Sequence, residues 1–148
     1  KQAAEAVGTW ESVHPEIIRQ LEHSKEFEVL TRVYLDDQEW DAAWDTLARV
    51  PQGSRGRLSY NPLDFEVAER TRQARPQKAI PVYVDYARHE INQRSRGHYA
   101  VAARYLVVVR DLYRQLGDEE TWRKLIGGIR EEFRQLRALQ DELNQVGL

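Results

Sequence analysis

Three observations predict an all-α fold. Apolar residues recur at intervals of three and four along almost the whole chain, and no convincing run alternates with period two. Proline and glycine fall at tight junctions between the periodic stretches, as at Pro51-Gln52-Gly53 and Leu116-Gly117. The architecture expected is about seven helices in antiparallel pairs, a tetratricopeptide-like right-handed α-solenoid ending in a long C-terminal helix. It is expected as one helical-repeat domain over 1–148: 1–50 is the first pair with an N-terminal helix, 51–62 a loop, 63–96 the second pair and 97–148 the third.

The first twelve residues are weakly helical, with Trp10 as their one large anchor. Pro15 suits a first helical turn, where its missing N–H costs nothing, and starts a helix running to about His23. Ser24 is a candidate N-cap for the next helix, whose face carries Phe27, Leu30, Thr31, Tyr34 and Leu35. Asp36-Asp37 should break it, with Asp37 capping a third helix from about Gln38 to Arg49. Trp40, Ala43, Trp44 and Leu47 form the apolar stripe of that helix.

Residues 51–62 (PQGSRGRLSYNP) combine two prolines and two glycines with two serines and an asparagine, and read as a loop. A fourth helix is expected over Leu63 to Ala74 and a fifth from Pro76 to about Arg94, with Pro81 early enough not to break it. Gly97 is the expected separator before a sixth helix, His98 to Leu116, which is apolar all round at 105–109 and so central. Gly117 suits a C-terminal left-handed cap, and Asp118, Glu119 and Glu120 suit the next N-terminus. The seventh helix is expected to run from Glu119 to Asn144. Its stripe is Trp122, Leu125, Ile126, Ile129, Phe133, Leu136, Leu139 and Leu143, interrupted by Gly127-Gly128 at a cost of about 1 kcal/mol per glycine.

The length of 148 residues, with 41% apolar and 31% charged residues, fits one ordinary domain with a heavily charged surface. The absence of cysteine excludes disulfides, a thiolate zinc site and a cysteine nucleophile. With no methionine and Lys1 first, the chain reads as a processed product or an excised piece. Apolar runs are short, Tyr105 to Val109 being the clearest, so no membrane span is expected. The net charge of −2 conceals an asymmetry: −6 over 1–50, +6 over 51–117 and −2 over 118–148. A basic middle between acidic ends could steer an anionic partner or pair with a second copy; the plainer reading is a solvated surface of interspersed charges. A pI near 6.1 argues against a dedicated nucleic-acid binder.

The tetratricopeptide pattern wants a small residue, then large ones three and nine later, then alanine three beyond. Thr31, Tyr34, Trp40, Ala43, Leu47 and Val50 match in order, and Pro51 follows. Ala79, Tyr83 and Tyr86 supply a weaker second match, with Val67 and Arg70 before them. Tyr113 and Trp122 supply a partial third. An irregular helical bundle would show the same stripes.

Catalytic chemistry is nearly absent. His89-Glu90 begins like the metalloprotease helix motif, but position 93 is Gln. His14, His23, His89 and His98 lack metal-ligand spacing. The clusters Asp36-Asp37-Glu39-Asp41 and Asp118-Glu119-Glu120 sit where helices begin, so capping accounts for them. No EF-hand, phosphate loop or dinucleotide fingerprint is present, and Gly53-Ser54-Arg55-Gly56 is not a nucleophile elbow. Tyrosine and arginine interleave from Tyr83 to Arg114, a pattern found in single-strand nucleic-acid binders. Here the tyrosines fall at inward helical positions, which favours core packing.

The stretches RPQKAIPVYVDYARHEIN (75–92) and HYAVAARYLVVVRDLYRQLGDEETWRKLI (98–126) carry a family resemblance. Its pieces are Pro76 with Ala79-Ile80 and Tyr83; Tyr99, Ala102, Tyr105-Leu106 and Asp111-Leu112-Tyr113; Leu116-Gly117 and Trp122; and the tail from Ala138-Leu139 to Gly147-Leu148. Over about residues 28 to 148 the chain resembles the C-terminal helical region of bacterial SWIM zinc-finger proteins. In that family a CxCx(n)CxH zinc module lies upstream. With no cysteine here, no zinc ligand carries over and no cofactor is expected in this chain. The resemblance implies a tetratricopeptide-like domain cut from a larger, cytoplasmic protein, with an interaction role.

The expected function is therefore a non-catalytic protein–protein interaction scaffold. Its candidate contacts to a protein or acidic peptide are the outward residues Arg32, Arg72, Arg110 and Arg114. The alternative is a nucleic-acid-associated accessory domain that uses the basic middle.

Overall fold

A computed structural model of the chain describes residues 15–20, 26–56 and 62–148. Among them the fold is all-helical, without strands. Eight of the described helices are α1 (Phe27–Asp36), α2 (Trp40–Leu47), α3 (Gln52–Arg55), α4 (Leu63–Thr71), α5 (Pro76–Asn92), α6 (Arg96–Gln115), α7 (Glu119–Glu132) and α8 (Arg137–Gln145). Residues 15–20 are also helical. Trp10, His14, His23 and Ser24 lie outside the described residues. The chain divides into two compact units, with the boundary between Leu63 and Asp64.

In the first unit α1 and α2 form an antiparallel hairpin: Thr31 meets Thr46, and Arg49 lies over the Phe27 ring at 4.2 Å. Leu30, Thr31, Leu35, Ala43 and Leu47 are buried between the two helices. The hydroxyls of Thr31 and Thr46 lie 2.9 Å apart, that of Thr31 also within reach of the Phe27 carbonyl (2.6 Å) and that of Thr46 within reach of those of Ala42 and Ala43 (3.0 and 3.1 Å), so each has an acceptor for its single proton. Buried threonine is tolerable because each hydroxyl is satisfied. The turn departs from expectation. Asp37 does not cap α2; Gln38 takes a left-handed conformation (φ 61°), and Glu39 is the N-cap without a side-chain hydrogen bond. Gln38 N–H donates to the Leu35 carbonyl and Glu39 N–H to that of Tyr34, closing α1 with a Schellman motif that normally uses glycine.

The expected loop at 51–62 contains α3 instead of being wholly irregular. Arg55 donates to the Leu47 carbonyl at 2.8 Å and so satisfies one of the orphan acceptors at the end of α2.

In the second unit α6 is the hub, packing on α5, α7 and α8. Tyr105 meets Tyr83, and His98 meets Glu90, so α5 and α6 run antiparallel. They share the most extensive contact in the unit, across the expected boundary between the second and third pairs. Length explains it: α5 has 17 residues and α6 has 20, whereas α4 has 9. Ala79, Ala87, Ala102 and Ala103 are buried on the two helices, and small side chains let backbones approach closely. Pro81 is accommodated within α5. Gly97 does not separate α5 from α6: it lies in the first turn of α6. Arg94 (φ 59°) makes the turn, and the Ser95 side chain caps α6.

Gly117 (φ 70°) ends α6 as expected, with its N–H on the Arg114 carbonyl and that of Asp118 on Tyr113. Asp118 then caps α7, accepting from the Thr121 N–H at 3.2 Å and its hydroxyl at 2.7 Å. The long C-terminal helix is not observed. It is two helices, broken at 133–136, while Gly127-Gly128 stays inside α7. Gln140 donates to the Phe133 carbonyl at 3.1 Å, replacing a helical bond, and the turn lets Phe133, Leu139 and Leu143 all be buried.

Candidate interaction surface

Arg72 follows the last residue of α4, whose Thr71 hydroxyl donates back to the Val67 carbonyl. Its guanidinium donates to the Tyr83 hydroxyl at 3.1 Å and lies 6.0 Å from the centre of that ring. Burial pushes the Tyr83 hydroxyl above the ordinary tyrosine range, and the Arg72 hydrogen bond offsets part of that shift. Arg110 and Arg114 stand one turn apart on the last turns of α6. Arg110 donates to Asp111 at 3.2 Å with its side chain only 19% exposed; Arg114, 54% exposed, donates to Glu119 at 3.3 Å.

Gln115 donates to the Gln73 carbonyl at 2.8 Å. That bond draws the turn carrying Arg72 to the end of α6 carrying Arg114, so these segments share one end of the second unit. Arg32 belongs to the first unit, half-buried on α1 and engaged in an interaction of its own. Exposed ion pairs such as Arg114–Glu119 are worth about 0–1 kcal/mol, so an external carboxylate can compete for them.

Several arrangements were not read from the sequence. Phe65 sits among Tyr83, Tyr86 and Tyr105, with ring centroids 5.1, 4.9 and 5.4 Å away. The Tyr86 hydroxyl donates to Asp64 at 2.6 Å. These partners are 22 residues apart, so no local pattern pairs them. Glu90 meets the His98 ring at 2.6 Å across the α5–α6 turn. Arg130 donates to the Leu148 carbonyl (3.3 Å), Gln140 (2.8 Å) and Asn144 (2.9 Å), clamping α8 to α7. Arg96 reaches Glu142 at 2.9 Å and ties α6 to α8.

A depression of about 560 Å³ lies at the α7–α8 turn, lined by Arg94 and residues 131–136. None of the four candidate arginines lines it. Its walls carry both signs of charge, and Glu132 is already bonded to Arg88 at 2.7 Å. Among the described residues no three His, Asp or Glu side chains form a metal-holding group. No described helix is long and apolar enough to cross a membrane.

No protein-family model matches the chain, and no solved structure matches it. Over 88 residues, 60% of this chain, it is 32% identical to the uncharacterized protein YwqB of Bacillus subtilis (strain 168). The matched part is 16% of that protein, so the chain corresponds to a small portion of its relative.

Proposed function

We propose that the chain is a non-catalytic protein-interaction module of a larger protein, with tetratricopeptide-like helical packing, that docks an acidic segment of its partner. The observation that carries this reading is the Gln115–Gln73 bond, which gathers Arg72 and the arginine-bearing end of α6 at one end of the second unit. Arginine suits the role because its fork donates to carboxylates in pairs. Arg72 and Arg110 are held against the protein by Tyr83 and Asp111, so less side-chain entropy is lost on binding.

The helical-repeat reading is supported by the first unit, where Thr31, Ala43, Leu47 and Val50 of the repeat pattern are all buried. The match of this chain to a small part of YwqB supports membership of a larger protein. The resemblance to SWIM zinc-finger proteins stands as part of the same proposal. Any zinc would belong to an upstream module, and the larger protein would be cytoplasmic.

The test is fluorescence anisotropy with a panel of Asp/Glu-rich peptides and their Lys-substituted counterparts. Binding is expected for acidic sequences, falling with added salt and lost in Arg72→Glu/Arg110→Glu. Tight binding of DNA or RNA, with no acidic peptide bound, would favour the accessory nucleic-acid role instead.

A further inference from the structure

The outward face of α7 carries a charge order that complements itself. Along it stand Glu120, Lys124, Gly127-Gly128, Glu131 and, just past the helix end, Arg134, all exposed. The face lies opposite the buried residues Trp122, Ile126 and Ile129, one helical side away. Read forward, the signs are minus, plus, glycine pair, minus, plus. Read backward, each sign is replaced by its opposite. Two copies of α7 packed antiparallel about the glycine pair therefore set Lys124 against Glu131 of the second copy, and Glu120 against its Arg134.

We propose that this face is a two-fold interface with a second copy of this chain. Charge complementarity names the occupant, because an isologous antiparallel contact makes each pairing twice. Lys124 and Glu120 have no partner among the described residues, and the Glu131–Arg134 pair is 71% and 68% exposed, so it is cheaply exchanged. The glycines set the distance. A Cβ added at Gly127 or Gly128 would meet nothing within 4 Å, so packing within the chain does not require glycine there. In the pair of copies the same bare backbone lets the two helices approach closely.

Sedimentation equilibrium of the whole chain across protein and salt concentrations tests this. A monomer–dimer equilibrium weakened by salt is expected. Lys124→Glu and Glu131→Lys should each raise the dissociation constant about tenfold or more, and the double swap Lys124→Glu/Glu131→Lys should restore it. Gly128→Leu should abolish the dimer while circular dichroism shows the helices intact. A chain that stays monomeric at the highest soluble concentration would overturn the proposal, as would single reversals without effect or a double swap that fails to restore association.

Discussion

The two units solve one problem, holding antiparallel helices together, with different chemistry. The contacts of the α1–α2 hairpin include a buried hydroxyl pair and an arginine over an aromatic ring, and both N-caps lack a side-chain hydrogen bond. In the second unit a hub helix is surrounded by an aromatic cluster, two side-chain-capped N-termini and the Arg130 clamp. The first hairpin joins helices that are adjacent in sequence, with Thr31 and Thr46 in contact. The second unit depends on partners far apart in sequence, and stability is accordingly expected to concentrate there.

The hardest blow to that contrast is Leu106→Ala, in the fully buried centre of α6. It should cost about 2–5 kcal/mol, with amide-exchange protection lost in α5 to α8. Equal loss in α1 and α2 would erase the distinction. Arg130→Ala removes three hydrogen bonds from a charged donor and should cost about 1–3 kcal/mol. Exchange should accelerate in α8 first, and an unchanged α8 would show that its buried leucines suffice.

Capping is the next step down. Asp118→Ala should destabilise by about 1 kcal/mol, whereas Glu39→Ser, which offers α2 the cap it lacks, should stabilise by a similar amount. Denaturant melts measure both. The smallest effect is alkaline. Burial raises the hydroxyls of Tyr83, Tyr105 and Tyr113, all in the second unit, above the ordinary value. A raised pKa means that the folded state holds the proton more tightly. This contribution is whole below pH about 10 and is lost as pH rises through the folded values. Melts on either side of that pH, with absorbance following phenolate, should show a decline absent from a Tyr105→Phe variant in proportion to its share.

What could be read in the sequence was what is local. Helical periodicity placed most elements, and Gly117 and Asp118 marked one helix end and the next start; of the six residues of the repeat pattern, Thr31, Ala43, Leu47 and Val50 are buried, and Tyr34 and Trp40 are half-buried. Two left-handed turns escaped because Gln38 and Arg94 occupy them where glycine would signal the conformation. The C-terminal helix misled in the opposite sense. Gly127-Gly128, good breakers by propensity, lie inside α7, and the break falls at Phe133-Arg134-Gln135-Leu136, which are ordinary helix formers. Tertiary burial of Leu139 and Leu143, helped by the side chains of Gln140 and Arg130, overrides propensity there. At the candidate surface the sequence named the arginines. The approach of the turn carrying Arg72 to the end of α6 depends on Gln115 and Gln73, 42 residues apart, and no periodicity signals that contact; Arg32 stays in the first unit.

The measurement that bears most directly on the account is a swap of binding preference. Wild-type chain and Arg72→Glu/Arg110→Glu are titrated into one labelled acidic peptide and its Lys-substituted counterpart at matched salt. Wild type is expected to prefer the acidic peptide, and the double reversal to lose that preference and gain affinity for the basic one. An acidic peptide bound equally well by both proteins would contradict it.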